Sequence, residues 1–454
     1  MTRFLRSPDV QTAIALSLMS FHVSSVGVII VLFSQELGVR LSSLSWMGSA
    51  FGVGLLVGAV AGPALLRRGP QRVLAASALG VALGMTLVAT APALPLAALG
   101  IAVVSLAGGG TVLSVSAILS GPGAETRLTR ANAGASVVAV LAPLLIGAFI
   151  SMGISGRLAL LVAVPPLLLT ALAAARTPDP VPDVSIPPAP TEFDDAATPS
   201  PAMSHAAGPG RHVEPTHGDD AATPSPATSP GTAGAVVVKR PATGTVLARW
   251  LAVVMSVAAE FSFLVWGVAR LVDSGLEAGP AATLGAVFPL GMAVGRIVGP
   301  WVLARVPAVP LGAGLAAVGT AAVVVGPAWP VIAFGLLLAG LGIAVLYPVT
   351  LARLLATPRL PQEWGSSLGA LASGVAIVLA PAGLALLGDV VELRLAFLVV
   401  LPMLAALALL YGRAGSGGTG SGGAGSGGAG SGGTGSGGAG SGGTGSGGAG
   451  DAEG

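Results

Sequence analysis

Apolar runs of about twenty residues, separated by short stretches of Gly, Pro, Arg and Ser, fill the chain from residue 11 to 175 and again from 247 to 412. A helix of that length rises far enough to cross a hydrocarbon core of roughly 30 Å. The runs fall at 11–34, 44–66, 73–91, 94–119, 131–152, 157–175, 247–271, 280–304, 309–327, 330–352, 365–388 and 394–412. They predict an all-α membrane protein with twelve spanning helices, six on either side of one long break. Arg3 and Arg6 precede the first run as they would in a signal peptide. Its apolar stretch is too long for an h-region and no Ala-x-Ala site follows, so it reads as a helix.

The break and the end of the chain have a different character. Residues 176–246 are rich in Pro, Ala, Thr, Ser and Asp, and DDAATPSPA recurs within them. Such a segment buries too little apolar surface to offset its chain entropy, so a disordered cytoplasmic linker is expected. Residues 414–454 repeat GSGGTGSGGAG and predict a flexible tail. The expected plan is a six-helix bundle over 1–175, the linker, a second six-helix bundle over 247–413, and the tail.

Composition narrows the function. Hydrophobic residues make up 53% of the chain and charged residues 9%, with mean hydropathy +0.87. An ordinary soluble domain is about a quarter charged. Cysteine is absent, and three of the four histidines (His205, His212, His217) lie in the linker. No cofactor or metal site is therefore expected. The pI near 9.6 accompanies a net charge of only +2, and the arginines stand between apolar runs. That spacing suits membrane topology rather than nucleic acid. Placing both termini in the cytoplasm gives the inside loops Arg3, Arg6, Arg67, Arg68, Arg72, Arg127, Arg130, Arg176, Arg305, Arg353, Arg359 and Arg413, and the outside loops only Arg40, Arg157, Arg270 and Arg394. A multi-pass, monomeric protein of the cytoplasmic (inner) membrane with cytoplasmic termini is expected.

The halves repeat each other. A shift of 237 residues places Gly38, Gly48, Phe51, Gly54, Val57, Gly58, Gly62, Pro63, Leu66, Arg68 and Pro70 on Gly275, Gly285, Phe288, Gly291, Val294, Gly295, Gly299, Pro300, Leu303, Arg305 and Pro307. Spans four and ten share LAGxG, at Leu106–Gly110 and Leu338–Gly342, and spans five and eleven share VxxVLAP, at Val137–Pro143 and Val375–Pro381. Six spans return the chain to its starting side, so the repeat is parallel, about an axis along the membrane normal. Secondary transporters built this way bind substrate near the midplane between the halves.

At these residues the chain resembles the major facilitator superfamily (MFS), over everything but linker and tail. GPALLRRGPQR, residues 62–72, is similar to that family's loop signature between helices two and three: Gly62, Arg67, Gly69 and Arg72 fit it, while Leu66 replaces the usual Asp and Pro70 an Arg. GMAVGRIVGPWVLAR, residues 291–305, resembles its counterpart between helices eight and nine. APLLIG, residues 142–147, is similar to the fifth-helix motif of antiporters, with Val138, Ala142 and Ile146 in place of its glycines. The resemblance implies two six-helix bundles related by a pseudo-twofold, alternating access, and a cavity lined by helices one and seven.

Glu260 sits near the middle of span seven, where an ionisable side chain is costly and normally faces protein or a water-filled cavity. Ser256, Glu260, Phe263 and Gly267 share one helical face. Low dielectric disfavours a charged carboxylate, so Glu260 is a candidate for carrying protons or holding a cationic substrate. A structural ion pair with Arg296 of span eight is the other reading, and the two are compatible. His22, mid-span in helix one, is the second candidate for proton coupling or substrate binding. It lies opposite the stripe of Ser17, Ser20 and Ser24, so helix one presents one or the other to a cavity; a histidine satisfied by a neighbouring helix is the alternative. Arg296 and Tyr347 complete the cavity candidates with Ser256 and Phe263. Tyr347-Pro348 either lines the cavity or marks a kink, Trp266 reads as packing or an interfacial anchor, and Asn132 as a helix cap.

Paired intramembrane acids, a His cluster and a Ser-His-Asp set at one depth are all missing, which argues against a membrane-embedded enzyme. The spans are poor in Asn, Gln, Asp and Lys. That lining favours proton-coupled export of a lipophilic or amphipathic small molecule over uptake of a sugar or metabolite. A sensor or scaffold that kept the transporter fold is the rival from another class.

Overall fold

The computed structural model describes residues 7–120, 123–179, 243–303, 305–358, 360 and 362–416. Residues 180–242 of the expected linker (176–246) and 417–454 of the expected tail (414–454) lie outside the described residues. Among the described residues there is no strand, and twelve segments are helical, long and apolar enough to cross a membrane. The first half holds α1 (Pro8–Leu37), α2 (Trp46–Leu66), α3 (Pro70–Thr90), α4 (Leu94–Ile118), α5 (Ala124–Ser151) and α6 (Val164–Arg176). In the second half are α7 (Thr243–Asp273), α8 in two pieces (Ala278–Gly285 and Val287–Leu303), α9 (Ala308–Val325), α10 in two pieces (Trp329–Ile343 and Leu346–Leu355), α11 (Gln362–Val390) and α12 (Val400–Ser416).

The interruptions have a chemical cause. Pro289 has no N–H for the carbonyl of Gly285, and Pro348 none for Ala344, so α8 and α10 break where the sequence pattern predicts continuous helices. Tyr347-Pro348 thus marks a break. Asn132 does not cap a helix, because α5 begins two turns earlier at Ala124. Large apolar side chains such as Val60, Leu79, Leu83 and Leu386 are more than half exposed, as lipid-facing surface requires.

Packing inside each half relies on small residues, which let helix backbones approach where lipid supplies no hydrophobic drive. Gly54 of α2 lies directly on the Ser105 backbone of α4, and its repeat partner Gly291 of α8 lies on Leu337 of α10. Gly58 faces Gly109 as Gly295 faces Leu341, and Gly84 faces Gly100 as Gly319 faces Gly335. The internal repeat is therefore a repeat of helix crossings. Polar ties hold the loop ends. Arg157 pairs with Glu36 at 2.9 Å, and Arg270, buried at the end of α7, donates to the carbonyls of Val323 and Gly326.

The halves meet along α1, α2 and α5 against α7, α11 and α8, toward the end of the bundle remote from Pro8. A Cβ on Gly27 would come within 2.6 Å of the Leu264 and Val265 carbonyls, and one on Gly52 within 2.7 Å of the Gly374 carbonyl. Nearby, Ser49 Oγ donates to the Val378 carbonyl at 2.8 Å, and Gly147 of α5 packs on Gly279 and Thr283 of α8. This remote end is sealed by backbone-close contacts.

Candidate functional site

On the Pro8 side of that seal, near mid-depth, the halves enclose a cavity of about 160 Å3. That is space for roughly five waters, or for a benzene-sized solute. The first half contributes Leu16, Met19, Ser20, Val23 and Ser24 of α1, Phe51 of α2, Val112 of α4, and Ala135, Ser136 and Ala139 of α5. From the second half come Glu260 and Leu264 of α7, and Pro289, Met292 and Arg296 of α8. The wall of the first half is apolar apart from three serines, and both charges lie on the wall of the second.

Glu260 and Arg296 form the ion pair that their depths allow: Arg296 Nη2 stands 3.6 Å from Glu260 Oε1. That is longer than a direct hydrogen bond, so the attraction is coulombic rather than a locked contact. The Glu260 side chain is 14% exposed and that of Arg296 30%, so both border the cavity without being sealed from it. Arg296 Nη1 makes its tighter contact across the seam, donating to Ser136 Oγ at 2.8 Å, while Ser136 donates to the Asn132 carbonyl. The repeat explains how this arises: Gly295 lets α8 lie close on α10, and the next residue, Arg296, projects toward the first half.

The other candidates scatter. Ser256 is fully buried and hydrogen-bonds the Val253 carbonyl and Thr350, all within the second half. Phe263 packs between Phe288 and Phe397 at centroid distances of 5.5 and 5.4 Å. Neither lines the cavity, which corrects the face drawn through Glu260: the cavity takes Glu260 and Leu264, while Ser256 and Phe263, turned 40–60° the other way, face the core of their own half. Tyr347 does not line it either. His22 is buried and outside the cavity lining, which holds Ser20, Val23 and Ser24 from the same helix. Among the described residues its Nδ1 has no hydrogen-bond partner. Trp266 is buried and donates to the Pro381 carbonyl, a packing role.

In the loop motif, Arg67 and Arg72 are exposed, and Gly62 packs beside Leu113 of α4. Gly69, at φ +102°, caps α3 in a conformation that favours glycine. Asp179, following α6, accepts a 2.8 Å hydrogen bond from the Gln71 N–H at the start of α3, so a carboxylate from elsewhere in the chain meets the loop motif at Gly69 and Gln71.

Ser136 went unnoticed in the sequence because one serine among small residues of span five carries no periodic signal. Its only sequence cue is polarity at the depth of Arg296.

The chain matches the family model of the Major Facilitator Superfamily over residues 12–364, and it belongs to that superfamily. Solved structures of similar fold include the nucleoside transporter NupG, 11% identical with a TM-score of 0.62 over 90% of this chain and 99% of that one. The peptide transporter POT is 15% identical, with a TM-score of 0.62 over 91% and 94%. A POT complex with alafosfalin is 16% identical, with a TM-score of 0.60 over 91% and 94%. At these identities the likeness is one of fold. No curated protein matches the chain. Membership points to a transporter rather than an enzyme.

Proposed function

We propose that the protein exports a small amphipathic organic molecule across the cytoplasmic membrane by alternating access, in exchange for protons, with Glu260 as the group that gains and releases the proton. The observation that carries this reading is the placement of Glu260 and Arg296 on one wall of a cavity between the halves, with Arg296 also tied to Ser136 of the other half. Neutralising Glu260 removes the countercharge of Arg296, and an unpaired charge at this depth is costly. The guanidinium then turns to the polar end of a solute, or to Ser136. Protonation and occupancy thereby act on the side chain that joins the halves.

The apolar wall of the first half suits the body of the solute, and the charged wall its polar end. Too few hydrogen-bonding groups converge for a sugar. With cytoplasmic termini, as the arginine distribution supports, the cavity lies on the cytoplasmic side of the seal, the loading position for export. A monomer suffices for this cycle.

The test is uptake of a panel of labelled compounds into proteoliposomes under an imposed pH gradient. An amphipathic compound should be driven by the gradient, and Glu260→Gln should abolish the driving while leaving solute exchange intact. Driven transport at the wild-type rate in Glu260→Gln defeats the coupling role. Transport of no compound by correctly folded protein favours a non-transporting scaffold.

A further inference from the structure

Apart from the central cavity, a groove of about 680 Å3 lies at the sealed end, running between α5 of the first half and α8 of the second. Its deep part is apolar, with Leu144 and Ala148 on one side and Leu284 on the other. At its mouth stand Ser151, the last residue of α5, and Glu277, just before α8. At 1.5 Å per residue, Leu144 and Leu284 lie about 10 Å further into the membrane than these polar groups. Polar at the interface and apolar below is the gradient of a phospholipid itself.

Glu277 is exposed and unclaimed by the protein. It makes no side-chain cap to α8, although it occupies the cap position, and no cation lies within 4.0 Å of it among the described residues. A bare carboxylate over a lipid-facing apolar groove calls for a cationic head that can also donate hydrogen bonds. We infer that this groove is a binding site for a phospholipid with a primary-amine headgroup, its ammonium on the Glu277 carboxylate and an acyl chain lying against Leu144, Ala148 and Leu284. Such a lipid touches both halves beside the Gly147–Gly279 contact, where they must part when the sealed end opens.

The experiment needs no transport substrate, so it stands apart from the proposed function. The full-length protein is reconstituted in vesicles of equimolar phosphatidylethanolamine and phosphatidylcholine with matched chains, then extracted in mild detergent, and the retained lipids are quantified by mass spectrometry. Wild type should retain the amine lipid over the choline lipid by about tenfold, the scale of one charge-assisted hydrogen bond. Glu277→Gln should bring the ratio close to one, and Ala148→Trp, which fills the groove, should lower retention of both lipids. Thermal melting and elution profile check that each variant is folded. Equal retention of the two lipids by wild type overturns the proposal, as does a preference that survives Glu277→Gln. An Ala148→Trp protein that retains lipid normally also overturns it, and would assign the groove to some other apolar occupant.

Discussion

The Arg296 guanidinium, carried by the second half, donates a 2.8 Å hydrogen bond to the Ser136 hydroxyl of the first, so one side chain spans the seam at the cavity wall. Removing the acceptor isolates that tie. Ser136→Ala is expected to shift the conformational equilibrium away from the sealed arrangement described above by about fivefold, because a hydrogen bond to a charged but partly wet donor contributes about 1 kcal/mol. The chain has no cysteine, so spin labels introduced at Ser45 and Val390 report the separation of the halves without background. An unchanged distance distribution would mean that the bond carries no weight in the cycle.

The same guanidinium faces Glu260, and that pair predicts an asymmetry between single and double variants. Arg296→Ala strands a carboxylate near mid-bilayer and should destabilise the protein by about 2–3 kcal/mol, which reaches the lower part of the range for broken buried pairs because both side chains are partly solvated. Adding Glu260→Gln should restore most of the loss, since no uncompensated charge remains. Thermal melts of the two single variants and the double variant read the coupling. Additive losses would show that the 3.6 Å approach is incidental.

Most of the architecture was legible in the sequence because a membrane imposes it: the number and length of the spans follow from the solvent, and the duplicated glycines mark helix crossings that the two halves share. Glu260 and Arg296 were legible for the same reason, as charges where charges are costly. What could not be read was azimuth. A helical face assigns Ser256, Phe263 and Glu260 to one side within about 60°, yet the packing of α7 against α8 and α11 divides that arc between cavity and core. Tertiary partners from distant sequence were invisible too, among them Ser136 for Arg296 and Asp179 for the start of α3.

The repeat makes a paired prediction. Gly54 and Gly291 hold equivalent crossings, α2 on α4 and α8 on α10, and in both a Cβ would meet backbone rather than a movable side chain. Gly54→Leu and Gly291→Leu should therefore be equally damaging, each lowering folded yield several-fold. Neighbouring exposed positions serve as controls: Val57→Leu and Val294→Leu should be tolerated. Fluorescence-detected size-exclusion of all four variants tests this, and a mild effect at either glycine would break the equivalence of the halves.

Asp179 accepts from the first turn of α3, and a Cβ on Gly69 would collide with its carboxylate. Asp179→Ala should cost about 1 kcal/mol, the usual value of a lost helix cap. Gly69→Ala should cost more, because it combines that collision with a φ of +102°. Neither residue borders the cavity, so both variants should melt earlier yet keep the proton dependence proposed for wild type. A changed proton dependence in Asp179→Ala would instead tie this end of α3 to the transport cycle.

His22 separates a route with one titrating group from a route with two. Helix α1 gives Leu16, Met19, Ser20, Val23 and Ser24 to the cavity, and His22 lies about 160° around the helix from the two serines and about 60° from Met19. On its own side, seven residues earlier, Ala15 packs with Leu74, Ile118 and Ala174 of α3, α4 and α6, so this face looks into the first bundle. On the proposed route, a proton entering from the cavity meets Glu260 without passing that side of α1. His22→Gln keeps the polarity and nearly the volume, and should leave the pH profile of transport unchanged while altering stability by less than about 1 kcal/mol. Initial rates across pH 5–8 for wild type, His22→Gln and Glu260→Gln provide the measurement. A displaced or flattened profile in His22→Gln would place a second proton carrier in the first half, and would require α1 to rotate during the cycle so that this face reaches the cavity.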